Sequence, residues 1–559
     1  MTMPVIDATL RRAEALPVLF AERPARLALQ KLPPADPGTL APLRVNVWRN
    51  HAIESLLPLA APYLQYAGWQ ASFALSDYDD SLGLAGHAAA DLELVWLDPG
   101  HYAQPLESAD TQAWLAQRLR TLRGLTHAPI VLASWTQSPD GAARLQALAD
   151  AIAGTYWADL GAVASAAGVP LTDTRTAAVA GTPLANAAQA LIARHLACRW
   201  IAGAVLPPVK AIALDLDQTL HAGILGEDGV AGVQLTPAHA LLQSQLRELR
   251  AGGVFLALVS RNEHADARAL FEQRTDYPLR WSDFSAIEVS WDDKVQALAR
   301  IAKALRIAPD AILFVDDNPG ELAGAAALPG LHLLHAGADV AVTARALAFQ
   351  PGLWRWRVGA DDAGRVADLA ANAQREALAA NAADDGDYLR SLQLTLALDY
   401  DATAQRARAA ELCRKTNQFN LSLRRFGEAE VAELMDSADA CVATMRMSDR
   451  LSDSGVIGVL VARRSARTLR VEELCVSCRA LGRRMEDTLV LSSLARMPLL
   501  EGCDQVVFVL ADGPRNQPAR DWLQQLLGLE SPPAAGEHAL DAARVRAFEP
   551  NPHITVQTP

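Results

Sequence analysis

Three short apolar runs in this chain end abruptly in oxygen-bearing side chains, and that pattern restricts the fold more than any other feature. Ala211-Ile-Ala-Leu-Asp215-Leu-Asp217-Gln-Thr219-Leu220 passes from a hydrophobic run into two carboxylates and then a threonine. Gly253-Val-Phe-Leu-Ala-Leu-Val-Ser260 ends in a hydroxyl, with Arg261 and Asn262 next. Ala311-Ile-Leu-Phe-Val-Asp316-Asp317-Asn-Pro319 ends in two more carboxylates. Such runs suit buried strands of a parallel sheet covered by helices. In open parallel sheets, ligands bind outside the carboxyl ends of the strands, where these side chains can converge. Residues at i and i+2 of a strand share a face. Two carboxylates held together there repel unless a cation or a shared proton compensates. The arrangement suits a Mg2+-assisted nucleophile with a neighbouring acid/base.

At 559 residues the chain is too long for a single core. Residues 1–42 read as a helical and then Pro-rich entry segment. Residues 43–204 alternate apolar runs, such as Leu92-Glu-Leu-Val-Trp-Leu97, with amphipathic stretches, which predicts an α/β domain. A second α/β unit spans 205–350, a connecting helix 351–385, and an α+β region 386–559 whose tail after about residue 530 reads as irregular. A net charge of −13 argues against a general nucleic-acid binder. No apolar run reaches the ~18–20 residues that span a bilayer. The first residues do not read as a signal peptide, and six scattered cysteines make no disulfide framework, so a cytoplasmic location is expected.

Trp291-Asp-Asp-Lys294 adds a lysine near the start of a helix. Taken in order, the four motifs resemble those of the haloacid dehalogenase (HAD) superfamily of phosphotransferases over about residues 209–335. That resemblance implies Asp215 as the nucleophile that becomes an aspartyl-phosphate, and Asp217 as the acid that protonates the leaving oxygen and later activates water. It implies Mg2+ held by Asp215, the backbone carbonyl of Asp217, and the pair Asp316 and Asp317. Ser260 and Lys294 would hold the phosphoryl oxygens, with Thr219, Arg261 and Asn262 as further substrate-binding candidates. The segment after Leu220 contains a Gly-rich hairpin, Ala222-Gly-Ile-Leu-Gly226-Glu-Asp-Gly229, and leaves no room for a large cap domain. An uncapped site implies a large or carrier-borne substrate, or a lid supplied by another domain.

Asp215-Leu-Asp-Gln-Thr-Leu-His-Ala-Gly-Ile-Leu-Gly-Glu-Asp-Gly229 is similar to the FkbH-like branch, whose usual form is DLDNTLWGGVIGEDG. Lys415-Thr-Asn-Gln-Phe-Asn-Leu421 and Ser477-Cys-Arg-Ala-Leu-Gly482 extend the resemblance to about residue 495. Proteins of that branch are glyceryl transferase/phosphatases. The resemblance therefore implies an acyl phosphate substrate, 1,3-bisphosphoglycerate, and delivery of a glyceryl group to the phosphopantetheine thiol of an acyl carrier protein. Gln218, His221 and Ala222 depart from the usual Asn, Trp and Gly. His221 either shapes the substrate pocket or is a loop residue without chemistry. A plain phosphatase of a small metabolite, with a structural C-terminal region, is the alternative.

The strand before Arg479-Ala-Leu-Gly482-Arg-Arg484, and the helix after it, resemble the acyl-transferase loop of the GNAT fold, in which a helix N-terminus receives a pyrophosphate. Arg484 stands where a small residue is usual. Arg479 and Gly482 are the candidate binding residues there, with Asn417 from the KTNQFN segment. Cys475-Val-Ser-Cys478 has CxxC spacing without further zinc ligands. It is either a buried strand pair or places Cys478 beside three arginines as a thiolate that carries the acyl group. Residues 43–204 resemble a non-catalytic SGNH-hydrolase-like unit: Asn46, Trp48, Asn50 and His51 stand where a Gly-Asp-Ser nucleophile would. Its aromatics Tyr63, Tyr66, Trp69 and Tyr78 form either a binding face or core.

Overall fold

The computed structural model describes residues 3–382, 384–477, 479–481 and 485–558. It divides into two compact units, Met1–Val358 and Gly359–Pro559.

The first unit contains two parallel sheets of five strands. The first sheet is built from β1 (Ala41–Arg49), β2 (Trp69–Tyr78), β3 (Leu92–Trp96), β4 (Ile130–Ser134) and β5 (Thr155–Asp159), in the order β2-β1-β3-β4-β5. The second is built from β6 (Ala211–Leu214), β7 (Phe255–Ser260), β8 (Phe284–Val289), β9 (Ile312–Asp316) and β10 (His332–His335), in the order β10-β9-β6-β7-β8. Every residue of β6, β7 and β9 is buried, which is why their sequences are continuous apolar runs rather than alternating ones. From β6 the chain moves outward to β7 and β8, then returns to β9 on the other side. The strand order therefore reverses between β6 and β9, where a crevice opens at the carboxyl ends.

One apolar core runs through this unit from Leu16 to Leu353 and joins the two sheets. Phe20 stacks on Phe349, and Tyr66 Oη donates to Gln350 Oε1 at 2.7 Å. Of the four aromatics singled out in the sequence, Tyr63, Tyr66 and Trp69 belong to this core, and Tyr78 alone is exposed.

The second unit is a mixed sheet. Its strands are β11 (Leu394–Tyr400), β12 (Phe419–Asn420), β13 (Ala440–Ser448), β14 (Asp453–Ser465), β15 (Thr468–Val476), β16 (Gln505–Leu510), β17 (Gly536–Asp541) and β18 (Ile554–Gln557). The order is β17-β16-β15-β14-β13-β11-β18, with β12 paired to the far end of β15. The tail expected to be irregular instead supplies both edge strands, β17 and β18, paired to β16 and β11. Helix Arg365–Asn381 is tied to the β13–β14 turn: Arg375 donates to both carboxylate oxygens of Asp449. Among the described residues no helix is long and apolar enough to cross a membrane.

Candidate active site

Asp215 directly follows β6, and its N–H donates to the Val315 carbonyl at 2.9 Å, so it sits at the reversal point between β6 and β9. Asp316 is the last residue of β9. Lys294 opens helix Lys294–Ala304, with Asp293 as its N-cap, and Ala297, Leu298, Ile301 and Ala302 bury one face of that helix. Packing of that face carries the lysine into the crevice, where Nζ donates to Asp215 Oδ1 at 2.8 Å and Asp316 Oδ2 at 2.7 Å. All three side chains are buried.

One carboxylate oxygen each from Asp215, Asp316 and Asp317 lie within 4.8 Å of one another. Burial raises the Asp215 carboxyl to about 7; Lys294 pulls it down and Asp316 pushes it further up. Burial and Asp316 likewise raise Asp317. One lysine thus does not compensate three crowded carboxylates, and an oxygen-only donor set with unbalanced negative charge fits a hard divalent cation. Asp316 Oδ1 is committed to the Asn318 N–H at 2.8 Å, which fixes the end of β9.

Asp217 lies outside this carboxylate cluster. Its Oδ1 accepts from the Leu225 N–H at 2.9 Å and faces His221 Nε2 at 3.2 Å; its Oδ2 accepts from Asn262 Nδ2 at 2.8 Å. Burial alone would raise its pKa, but these hydrogen bonds outweigh burial and hold it below the ordinary value. Any part for Asp217 in metal binding therefore falls to its backbone carbonyl. Asn262 also donates to Ser260 Oγ at 3.0 Å, linking the strand-final hydroxyl to Asp217. Thr219 is buried with no partner for its Oγ1, whereas Arg261 is exposed and pairs with Glu321 at 2.9 Å. Thus Asp215, Asp217, Ser260, Asn262, Lys294, Asp316 and Asp317 meet in one crevice.

Two features of the loop differ from the sequence expectation. The Gly-rich hairpin is instead helix Leu225–Gly232, broken at Gly229 (φ 68°), with an antiparallel bridge between Ala222 and Gln234 closing the loop. His221 is fully buried against Asp217 and Tyr277, a contact that its loop position did not reveal. Its one sequence signal was the four-residue spacing from Asp217. Gln218 adopts a left-handed backbone (φ 56°), a conformation that asparagine tolerates better than glutamine.

In the second unit, Cys478 and Gly482 lie outside the described residues, as do Arg483 and Arg484. Arg479 Nη1 donates to the Asp361 carbonyl at 3.3 Å. Asn417 Oδ1 accepts from Arg425 at 2.6 Å, and the same guanidinium gathers the carbonyls of Cys413, Arg414 and Thr416. Cys475 is a buried strand residue whose thiol is pushed up by its hydrogen bond with Cys413 and by burial. At the carboxyl end of β1, His51 stacks on Trp96 and faces Thr182 Oγ1 at 3.1 Å. Burial lowers the His51 imidazole to about 3, which keeps it neutral.

No protein-family model and no curated protein matches the chain. Among solved structures, the chain is similar to the N-terminal part of a Bacteroides fragilis protein containing a phosphatase domain, complexed with Mg. That match has 17% identity and a TM-score of 0.45, over 61% of this chain and 99% of the other. A HAD family enzyme from Bacteroides thetaiotaomicron, in complex with magnesium and inorganic phosphate, matches at 14% identity and a TM-score of 0.19, over 23% of this chain and 94% of the other. A predicted HAD-like family hydrolase from Porphyromonas gingivalis matches at 15% identity and a TM-score of 0.18, over 23% and 92%.

Proposed function

We propose that this protein is a Mg2+-dependent phosphatase of the HAD kind that works through an aspartyl-phosphate on Asp215. The observation that carries the proposal is the crevice where Lys294 bridges Asp215 and Asp316 while Asp217 is held apart by its own three partners. Asp215, Asp316 and Asp317 would hold the cation, which when bound offsets charge on the transferring phosphoryl group.

The chain's own residues divide the reaction between them. Asp215 Oδ attacks phosphorus, and the bond from phosphorus to the leaving oxygen breaks. Asp217, which must enter the first half-reaction protonated, supplies the proton that the leaving alkoxide needs, and then, ionised, removes one from the water that cleaves the aspartyl-phosphate. Ser260 and Lys294 steady the phosphoryl oxygens with donors fixed before the substrate arrives. The three donors on Asp217 favour its ionised form, which suits the second half-reaction, in which it must act as a base.

The finer reading follows the FkbH-like resemblance. We propose that the substrate is 1,3-bisphosphoglycerate and that a glyceryl group passes to an acyl carrier protein thiol. Incubating the full chain with 1,3-bisphosphoglycerate, Mg2+ and a panel of holo carrier proteins, followed by intact-mass measurement, tests both levels. A glyceryl-sized adduct on a carrier supports transfer. Free phosphate without an adduct leaves a plain phosphatase. Neither product, with Mg2+ present, overturns 1,3-bisphosphoglycerate as the substrate; an aryl phosphate left intact as well overturns the phosphatase itself.

A further inference from the structure

A cavity of about 410 Å3 opens in the first unit at the opposite end of the second sheet from Asp215. Its wall includes Val254, which precedes the first residue of β7, whereas Ser260, in the catalytic crevice, is the last. At about 3.3 Å per residue the two ends of that strand stand roughly 17 Å apart. The cavity falls within the size range of small-molecule sites. Leu249, Leu347 and Trp354 give it apolar walls, and Arg199, Arg355 and Glu248 are its charged lining residues.

Arg199 is the unusual member. It lies in the six-residue π-helix Leu196–Ile201, an insertion type that recurs at functional sites. Its Nη2 donates to the Ala348 carbonyl at 3.0 Å, its Nε has no partner, and its guanidinium lies 4.2 Å from the centre of the Phe349 ring. Arg194 covers the same ring at 4.3 Å and donates to the Ala21 carbonyl. Arg345 donates to the Phe20 carbonyl. Among the described residues no carboxylate pairs with any of these three arginines, in a chain of net charge −13. Burial, with Arg194 beside it, pushes the Arg199 guanidinium down to about 10, as expected of a cation without a counterion. Such a cation gains most from an anion that arrives with its own hydrogen-bond acceptors.

We propose that this cavity binds a small organic anion, with its carboxylate or phosphoryl group against Arg199 and Arg355 and a flat or apolar body against Leu249, Leu347 and Trp354. The site is separate from the phosphatase crevice and does not depend on that assignment.

Calorimetric titration of the full chain with 1-naphthoate, 1-naphthylphosphonate and neutral 1-naphthamide tests it. At least one anion should bind saturably at one site, about tenfold or more tighter than the amide, and comparison of the two anions tells carboxylate from phosphoryl preference. Arg199→Met and Leu249→Trp should each weaken that binding about tenfold or more, one by removing the charge and the other by filling the space. Asp215→Asn should leave it unchanged. If Arg199→Met does not fold, Leu249→Trp and the amide comparison decide. The proposal is overturned by an amide that binds as tightly as the anions, by absence of saturable anion binding, by wild-type affinity in Leu249→Trp, or by loss of binding in Asp215→Asn.

Discussion

In the proposed mechanism Asp217 and Lys294 carry opposite electrostatic duties, and substitutions around them should show it. His221 contacts Asp217 Oδ1 at 3.2 Å and is fully buried, yet Asp217 keeps the Leu225 N–H and Asn262 without it. His221→Phe should therefore lower kcat by about tenfold to a hundredfold on a phosphate ester, because proton transfer by a positioned group contributes ~10²–10⁴-fold and only part of the positioning is lost. KM should stay within about twofold, since His221 contacts the proposed acid/base Asp217 rather than Ser260 or Lys294, the proposed phosphoryl donors. Lys294 is different. Its removal leaves Asp215 and Asp316 buried without their shared cation, so Lys294→Met should cost kcat about 10²–10³-fold, the scale of losing a fixed donor at developing charge. Steady-state kinetics at saturating Mg2+ separates the two; a His221→Phe enzyme with wild-type kcat would return His221 to a packing role. At this scale the sequence showed which residue types meet, because strand-final carboxylates have few structural uses. It did not show that His221 meets Asp217, since that contact depends on a loop whose path is set by the Leu225 N–H and by an Asp228 carboxylate bonded to the Ile224 N–H.

Among the elements, β15 carries a conflict with a measurable consequence. Glu473 is fully buried within it; Oε2 accepts from Ser422 Oγ at 2.7 Å and Oε1 has no partner. Burial pushes its carboxyl up to about 8 from the usual 4.5, against a smaller pull from Ser422. Between those two values the unfolded chain has released this proton while the folded one retains it. Folding then takes up a proton, and stability falls as pH rises through the window, levelling above about 8. At about 1.4 kcal/mol per pH unit, the total is on the order of a few kcal/mol. Glu473→Gln removes the titration. Its stability advantage in denaturant unfolding should be small at pH 5 and grow toward pH 8; an advantage independent of pH would refute the assignment. The elements also show where sequence pattern stops. β6, β7 and β9 were legible because a strand buried on both faces needs an unbroken apolar run. β17 and β18 were not, because each is half exposed and Ala/Pro-flanked, and is a strand only through pairing with β16 and β11. Helix Leu225–Gly232 was read as a turn because its glycines signal turns; Gly229, at φ 68°, does break it.

For the molecule as a whole, every residue assigned to phosphoryl transfer lies in the first unit, and one core from Leu16 to Leu353 spans both of its sheets. The second unit has its own core, from Tyr388 to Ile554. A core shared by two sheets makes them fold as one body, and a fragment that retains its whole core retains the positions of side chains mounted on it. Residues 1–358 produced alone should therefore fold with a single cooperative transition and hydrolyse an aryl phosphate in Mg2+ with kcat within about threefold of the full chain, because the fixed donors that lower the barrier all travel with the fragment. Chelation of Mg2+ should abolish that activity and lower the fragment's melting temperature, since an ion bound only by the folded state stabilises it. The same fragment should form no adduct on a carrier protein if transfer depends on the KTNQFN and Ser477–Arg479 segments of the second unit. A fragment that folds yet hydrolyses nothing, where the full chain does hydrolyse the ester, would refute the placement of the whole proposed phosphatase within residues 1–358.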